Sequence, residues 1–252
     1  MAILSEPGYD PVKLAKDIEH IVVRGLARKY YRVARATRFY GGSAAADCVG
    51  CNLRCAFCWS GVPRDKPNEV GRFYEPEEVY EALARTAEKH HFRYVRVSGN
   101  EPTIGWQHLI RLLELFEQDG RFIFILETNG ILIGADRSKA RELAKFTILH
   151  VRVSLKGCNE KQFHRLTGAK PSAFKLQIQA LKNLSDYNVP HHPAVMATFC
   201  SRESLLQLAT RLASEVGPWE TANLELETLI LYPHVERRLK EARLWPPGPI
   251  SE

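Results

Sequence analysis

Cys51, Cys55 and Cys58 form a C-x3-C-x2-C run, the plainest source of chemistry in this chain. Close thiolates on one short loop can ligate three corners of a [4Fe–4S] cube. The fourth iron then lacks a protein ligand, and an open metal position can take a substrate, as it does at catalytic zinc. Four of the six cysteines fall within Cys48–Cys58. In a reducing compartment such clustering serves metals or catalysis more often than disulfides. Two other arrangements stay open on spacing alone. Cys48 can complete a four-cysteine zinc site, although structural zinc usually takes two CxxC pairs set farther apart. Cys48 can also seal the cube as a fourth ligand, leaving an electron-transfer centre with no open iron. Cys158 and Cys200 lie in no CxxC pair and read as ordinary buried thiols.

The elements that must position this loop follow from hydrophobic period. Residues 11–40 read as a helix and then extended chain, and Gly41–Ala46 as a small-residue strand or turn entering the cysteine loop. Strand-like runs follow at Tyr94–Ser98, Phe122–Thr128, His150–Leu155, Pro193–Phe199 and Asn223–Leu231. Helix-like segments lie between them at Pro76–His90, Gln107–Gln118, Ser138–Lys145, Pro171–Tyr187 and Arg202–Glu215. Pro76 after Glu75, and Ser138, fit helix starts, and Gly120 a helix stop. Strand–helix alternation implies parallel strands with helices outside.

Strands buried on both faces usually read as continuous apolar runs, yet several here alternate. Val151, Val153 and Leu155 oppose Arg152, Ser154 and Lys156; Glu225 and Glu227 share one face of the last strand; Glu127 and Asn129 share a face with Ile123 and Ile125. One face therefore meets helices and the other looks into something wet or charged, as in the lumen of a barrel. Arg96, Met196 and Thr198 are further lumen candidates. His90-His91 and His191-His192 are sequence neighbours that a strand points apart, and neither pair reads as a metal site.

The loop Cys51-Asn-Leu-Arg-Cys55-Ala-Phe57-Cys58-Trp59 resembles the signature of the radical S-adenosylmethionine (SAM) superfamily. That resemblance implies a [4Fe–4S] cluster on Cys51, Cys55 and Cys58, with SAM chelating the open iron and Phe57 near the adenine. It extends over residues 42–235. Ser98-Gly99-Asn100-Glu101-Pro102 resembles the family's Gly-Gly-Glu-Pro motif, with Asn100 at the second glycine. The motif implies that Gly99, Asn100 and Glu101 hold the SAM amino group, with Glu101 as the acceptor. Thr128-Asn129-Gly130 stands where family members contact SAM. Val153-Ser154-Leu155-Lys156 resembles the Asp-x-Lys strand of the pyruvate formate-lyase activating, or glycyl-radical activase, group, with Ser154 in the place of the Asp. Lys156, or Arg152 on the same face, would serve the SAM carboxylate or ribose. Leu231-Tyr-Pro-His234 resembles the closing strand of those activases with its His. The implied fold is α/β, a single-domain partial (βα)6-type parallel barrel. Residues 1–40 form a helical and extended segment packed on the core, 41–235 the barrel, and 236–252 a C-terminal helix and irregular tail.

Size and charge bound the function. The chain has 252 residues, 45% of them hydrophobic, and a net charge of +6, enough for one self-sufficient core and compatible with an anionic partner. No apolar run approaches the ~20 residues of a membrane span, and Met1–Pro7 lacks signal-peptide features; the expected location is cytoplasmic. The resemblance implies an oxygen-sensitive enzyme fed by a flavodoxin or ferredoxin-type donor. Its 5′-deoxyadenosyl radical would abstract hydrogen from a macromolecular substrate. The expected substrate is a protein, by likeness to the activases. The alternative is tRNA, since the Cys58-Trp59 continuation and the basic charge resemble the wybutosine-forming enzymes, which carry further upstream cysteines. A non-catalytic iron–sulfur electron-transfer module is a third reading.

Overall fold

A computed structural model of the protein describes residues 8–250; the Met1–Pro7 reading lies outside them. Helix α1, Pro11–Val22, starts where Asp10 accepts the Val12 and Lys13 amides at 2.9 and 3.2 Å, with Pro11 in the first turn where no amide is needed. It buries Ala15, Ile18 and Val22, one face of its 3.6-residue period. Strands β1, Val23–Arg24, and β2, Ala27–Thr37, form an antiparallel pair. Strand β3, Ser43–Cys48, is buried at every position, and small side chains (Ser, Ala, Ala, Ala) let its neighbours approach.

After the cysteine loop come α2, Gly61–Asp65, and β4, Arg72–Tyr74, the latter paired to β2. Helix α3, Pro76–Lys89, begins with a capping box between Glu75 and Glu78. Then follow β5, Tyr94–Gly99, and α4, Trp106–Asp119, which Gly120 ends at φ 70°. Strand β6, Ile123–Thr128, leads through α5, Ile131–Ala135, and α6, Arg137–Leu143, to β7, Leu149–Leu155. Helices α7, Glu160–Thr167, and α8, Phe174–Asp186, precede β8, His191–Met196. The chain closes with α9, Arg202–Glu215, α10, Pro218–Ala222, β9, Glu225–Glu227, and α11, Pro233–Glu241.

The sheet order is β1-β2-β3-β5-β6-β7-β8-β9, with β4 on β2. The six strands β3, β5, β6, β7, β8 and β9 run parallel, and the first and last strands of the sheet do not pair. This is the expected partial barrel with six parallel strands, left open at β9. The segment before residue 41 adds its own strand, β2, to that sheet, antiparallel to β3. Val95, Val97, Phe124, Leu126, Val151, Val153 and Leu155 face outward and meet Leu83, Leu109, Phe116, Phe174 and Leu181 from the helices.

Several boundaries differ from the sequence reading. The Pro193–Phe199 run starts earlier and ends at Met196, where the chain turns into a 3-10 segment. The Asn223–Leu231 run keeps only Glu225–Glu227 as strand. With a partner on one edge only, the rest of that run has no ladder to hold it. Leu226 and Ile230 are exposed, so helices do not cover the apolar face there. Helix α6 is capped by Asp136, which accepts the Ser138 amide at 3.0 Å, and not by Ser138 itself. Cys158 and Cys200 are not separate thiols. They form a disulfide with Cα atoms 6.2 Å apart, because the fold brings the ends of β7 and β8 together across 42 positions of sequence.

Candidate functional site

The inner face of the sheet carries charge, as the alternation requires. Arg96 lies 3.1 Å from Glu127, which also accepts the Tyr40 hydroxyl at 2.7 Å. Asp47, fully buried, accepts Arg35 at 3.0 Å and the Ser98 hydroxyl at 3.3 Å. Arg152 forks onto Glu225 at 2.8 and 2.9 Å and reaches Glu227 at 2.8 Å. The His192 hydrogen bond and the Arg152 guanidinium hold Glu225 down to about 2. Lys156 and Arg152 likewise lower Glu227 against the opposing effect of its burial. These partners are why polar groups survive inside the barrel: a buried charge without one is costly.

The cysteine loop lies at the C-terminal ends of the parallel strands, where ligands bind in open α/β sheets. Strand β3 delivers Cys48 and then Val49-Gly50-Cys51. The β5 end holds that loop from below: the Glu101 amide donates to the Gly50 carbonyl at 3.1 Å and Asn100 Nδ2 to the Cys48 carbonyl at 3.0 Å. Gly99 has φ 94°, and a Cβ there would stand 2.7 Å from the Cys48 nitrogen, so only glycine fits.

Glu101 is fully buried, and both its oxygens are engaged. Oε1 accepts the Thr103 amide and hydroxyl at 3.2 and 2.6 Å and the Thr128 hydroxyl at 2.6 Å; Oε2 accepts the Asn129 amide at 2.8 Å. The side chain ties the end of β5 to the end of β6. The Oδ1 atom of Asn100 is buried with no partner among the described residues.

Asn129 donates to Asn52 Oδ1 at 2.7 Å and points its amide at Cys51 Sγ, 3.9 Å away. Lys156 Nζ meets the Ser154 hydroxyl and lies 5.9 Å from the Phe57 ring centroid. Ser154 also donates to Glu227 at 3.1 Å. Phe57 packs on Phe199 at 5.6 Å. His234 stands apart from this group. Its Nε2 pairs with the Trp59 carbonyl at 2.7 Å and its ring stacks on Tyr232, at the outer end of the cysteine loop.

Cys51, Cys55 and Cys58 are free thiols on one loop, and they are the groups here that could hold a metal centre. Burial, the Glu101 charge and mutual repulsion push the Cys51 thiol up, and burial holds Cys55 at about 11. Such thiols ionise readily only with compensating positive charge, which a bound metal supplies. Cys48 is buried beside Tyr30 and Arg28, its thiol pushed up to about 12 by burial.

Sequence reasoning missed several residues that build the site. Gln177, fully buried on α8, donates to the Asn129 and Ser154 carbonyls at 2.6 and 3.1 Å and accepts the Lys156 amide at 3.1 Å. Its only signal is a polar residue on the apolar face between Phe174 and Ile178. Tyr9 accepts the Arg54 amide at 2.8 Å and donates to the Thr167 carbonyl at 3.0 Å, bracing the loop against α7. Arg28, 1% exposed, donates to the Val49 carbonyl at 2.7 Å and the Glu101 carbonyl at 3.3 Å. His150 and His192 pair at 2.7 Å and His191 with Glu220 at 3.2 Å, so the histidine doublet serves packing, with its two rings pointing apart as expected.

Comparison with known proteins places this geometry. The chain is 32% identical over 121 residues to a probable GTP 3′,8-cyclase of Thermococcus kodakarensis, covering 47% of this chain and 36% of the relative. It is 24% identical over 223 residues to the SAM-dependent tRNA 4-demethylwyosine synthase of Methanocaldococcus jannaschii, covering 77% and 66%. The chain spans little more than a third of the length of the cyclase relatives it matches. SuiB of Streptococcus suis, solved bound to SAM, superposes with TM-score 0.58 at 18% identity over 78% of this chain and 45% of that one. A further SuiB structure holds the precursor peptide SuiA. The family model described as the radical SAM superfamily matches residues 47–204, from the inner end of β3 into α9. The chain therefore belongs to the radical SAM superfamily, enzymes built on a [4Fe–4S] cluster and SAM.

Proposed function

We propose that Cys51, Cys55 and Cys58 hold a [4Fe–4S] cluster with one open iron, and that the enzyme abstracts hydrogen from a protein substrate, as activases do. The observation that carries the reading is the single loop with its three thiols, seated at the ends of six parallel strands above a charged lumen. When bound, the cluster supplies the electron that cleaves SAM to methionine and a 5′-deoxyadenosyl radical.

The chain's own groups would bind and orient. Lys156, beside the Phe57 face, is the cation available to a carboxylate, because Arg152 is committed to Glu225 and Glu227. Glu101 sets the backbone of two strand ends, and the unpartnered Asn100 Oδ1 is the acceptor open to an ammonium. The side of the barrel at β9 supports a large substrate: Glu225 is 46% exposed on its side chain, and among the described residues no strand lies beyond it in the sheet.

The test is anaerobic incubation of the reduced enzyme with SAM and candidate polypeptides, followed by electron paramagnetic resonance. A stable radical on a polypeptide supports the reading; SAM cleavage with no radical on any polypeptide overturns it. The similarity to a tRNA-modifying relative over 77% of this chain, with the charge of +6, favours RNA as the second reading. A tRNA gel shift that weakens steeply with salt would mark it.

A further inference from the structure

The backbone around the three cysteines is held by arginines, one to each cysteine carbonyl. Arg54 donates to the Cys51 carbonyl and Arg64 to the Cys55 carbonyl, both at 2.5 Å, and Arg238 donates to the Cys58 carbonyl. The first two are local, and each has an acid beside it. Arg64 forks onto Asp65 at 2.7 and 2.6 Å, and Arg54 lies 3.9 Å from the same carboxylate. Arg238 differs on both counts. It arrives from α11, 180 positions after the cysteine it serves, and it makes no ion pair among the described residues.

The sequence leaves room for it. A Cβ at Gly61, three residues after Cys58, would overlap the Arg238 guanidinium. Gly61 is in the first turn of α2 and has no positive φ, so its backbone conformation does not require glycine. The missing side chain is explained by the arginine. One turn earlier on α11, His234 pairs with the Trp59 carbonyl at 2.7 Å. The helix thus grips two successive carbonyls at the outer end of the loop.

We propose that Arg238 is a positioning residue for the cysteine loop, and that its unpaired charge makes the cluster easier to reduce. The inference rests on the reading that Cys51, Cys55 and Cys58 hold a [4Fe–4S] cluster. Reduction adds one electron, hence one negative charge, to a cube already carrying three thiolates. A fixed positive charge close by in a partly desolvated site favours that form. Net charge and hydrogen bonding around the sulfurs are among the terms that set such potentials. Arg54 and Arg64 give less of this, because Asp65 offsets them. The latch has a second effect: it couples the loop to the C-terminal helix, so a displaced α11 would also loosen the loop.

The test is a redox titration of the anaerobically reconstituted, full-length protein without SAM, followed by electron paramagnetic resonance, with iron content measured alongside. Arg238→Met is expected to make cluster reduction about tenfold less favourable, a shift of about 59 mV to more negative potential for a one-electron couple. Arg238→Lys keeps the charge and is expected to recover most of the shift. Gly61→Ala keeps the arginine but displaces it, and is expected to shift the potential in the same direction as Arg238→Met, although alanine is the better helix former. An Arg238→Met protein that retains its cluster at the wild-type potential overturns the proposal. Should Arg238→Met fail to load, Arg238→Lys and Gly61→Ala decide it: equal potentials in those two overturn it as well. Wild-type protein that takes up no cluster would instead defeat the reading on which the inference stands.

Discussion

At the residue scale, the arrangement assigns different work to groups that look alike. Glu101 is a brace whose carboxylate accepts four donors, and its amide isostere has only one accepting oxygen. Glu101→Gln should therefore leave buried donors facing an amide NH2. It should destabilise the protein by ~1–3 kcal/mol in urea denaturation, the usual cost of an unsatisfied buried group. Wild-type stability in that variant would show that the four bonds are dispensable. Lys156 behaves differently, since the side-chain hydrogen bond its ammonium makes is to the Ser154 hydroxyl and not to a carboxylate. Lys156→Met should leave cluster content unchanged and weaken SAM binding about tenfold, or ~1.4 kcal/mol. Equilibrium dialysis with labelled SAM measures this, and unchanged affinity would remove Lys156 from the binding site.

At the element scale, the strand ends are packed too closely to tolerate small additions. Gly99→Ala puts a methyl against the Cys48 backbone and imposes a positive φ on alanine. A loss of ~2 kcal/mol or more is expected, together with reduced cluster uptake, read from denaturation midpoints and iron content. Two histidines, the half-buried His150 on β7 and the buried His108 on α4, predict an acid response. Burial, with His192 and His191 nearby, holds His150 near 4, and burial holds His108 near 4 as well. Both lie below the ordinary histidine value of about 6.5. The unfolded chain then binds more protons than the folded one between about pH 6.5 and 4, so stability falls as pH drops through that window. Glu225, held at about 2, extends the fall from about pH 4.5 to 2. Denaturation midpoints across pH should decline in these two stages, and His150→Gln should shrink part of the first. A flat profile above pH 4 would contradict the burial of both histidines.

Much of this scale was legible in the sequence. The alternation of Val151, Val153 and Leu155 with Arg152 and Ser154 is a local property of one strand, and it carried both the outward core and the inward charge. Partner choice was not legible. Nothing near Arg152 in sequence points to Glu225, 73 positions away, and nothing in the spacing of Cys158 and Cys200 reveals that two strand ends bring them together. The β9 run failed for a related reason: its residues favour extended chain, but only three of them have a neighbour to pair with.

At the scale of the whole molecule, the sheet is a device for bringing loop ends to one rim. Motifs spread from Cys51 to Lys156 become neighbours because parallel strands present their C-terminal ends on the same side. The cysteine motif was readable because ligand spacing within one loop needs no tertiary knowledge. The long-range supports, Tyr9, Gln177 and Arg238, were not, since each is a single polar residue whose partners are backbone atoms far along the chain. The helix that carries Arg238 and His234 lies beyond the residues matched by the family model, which end at 204.

The most direct test of the account is SAM cleavage by anaerobically reconstituted, chemically reduced protein, assayed as 5′-deoxyadenosine, with iron and sulfide counted on the same sample. The account predicts about four irons per chain, formation of 5′-deoxyadenosine by the wild type, and none by Cys51→Ala, Cys55→Ala or Cys58→Ala, while Cys48→Ala remains active. Loss of the cluster in Cys48→Ala, or 5′-deoxyadenosine formation that survives removal of any of the three, would contradict it.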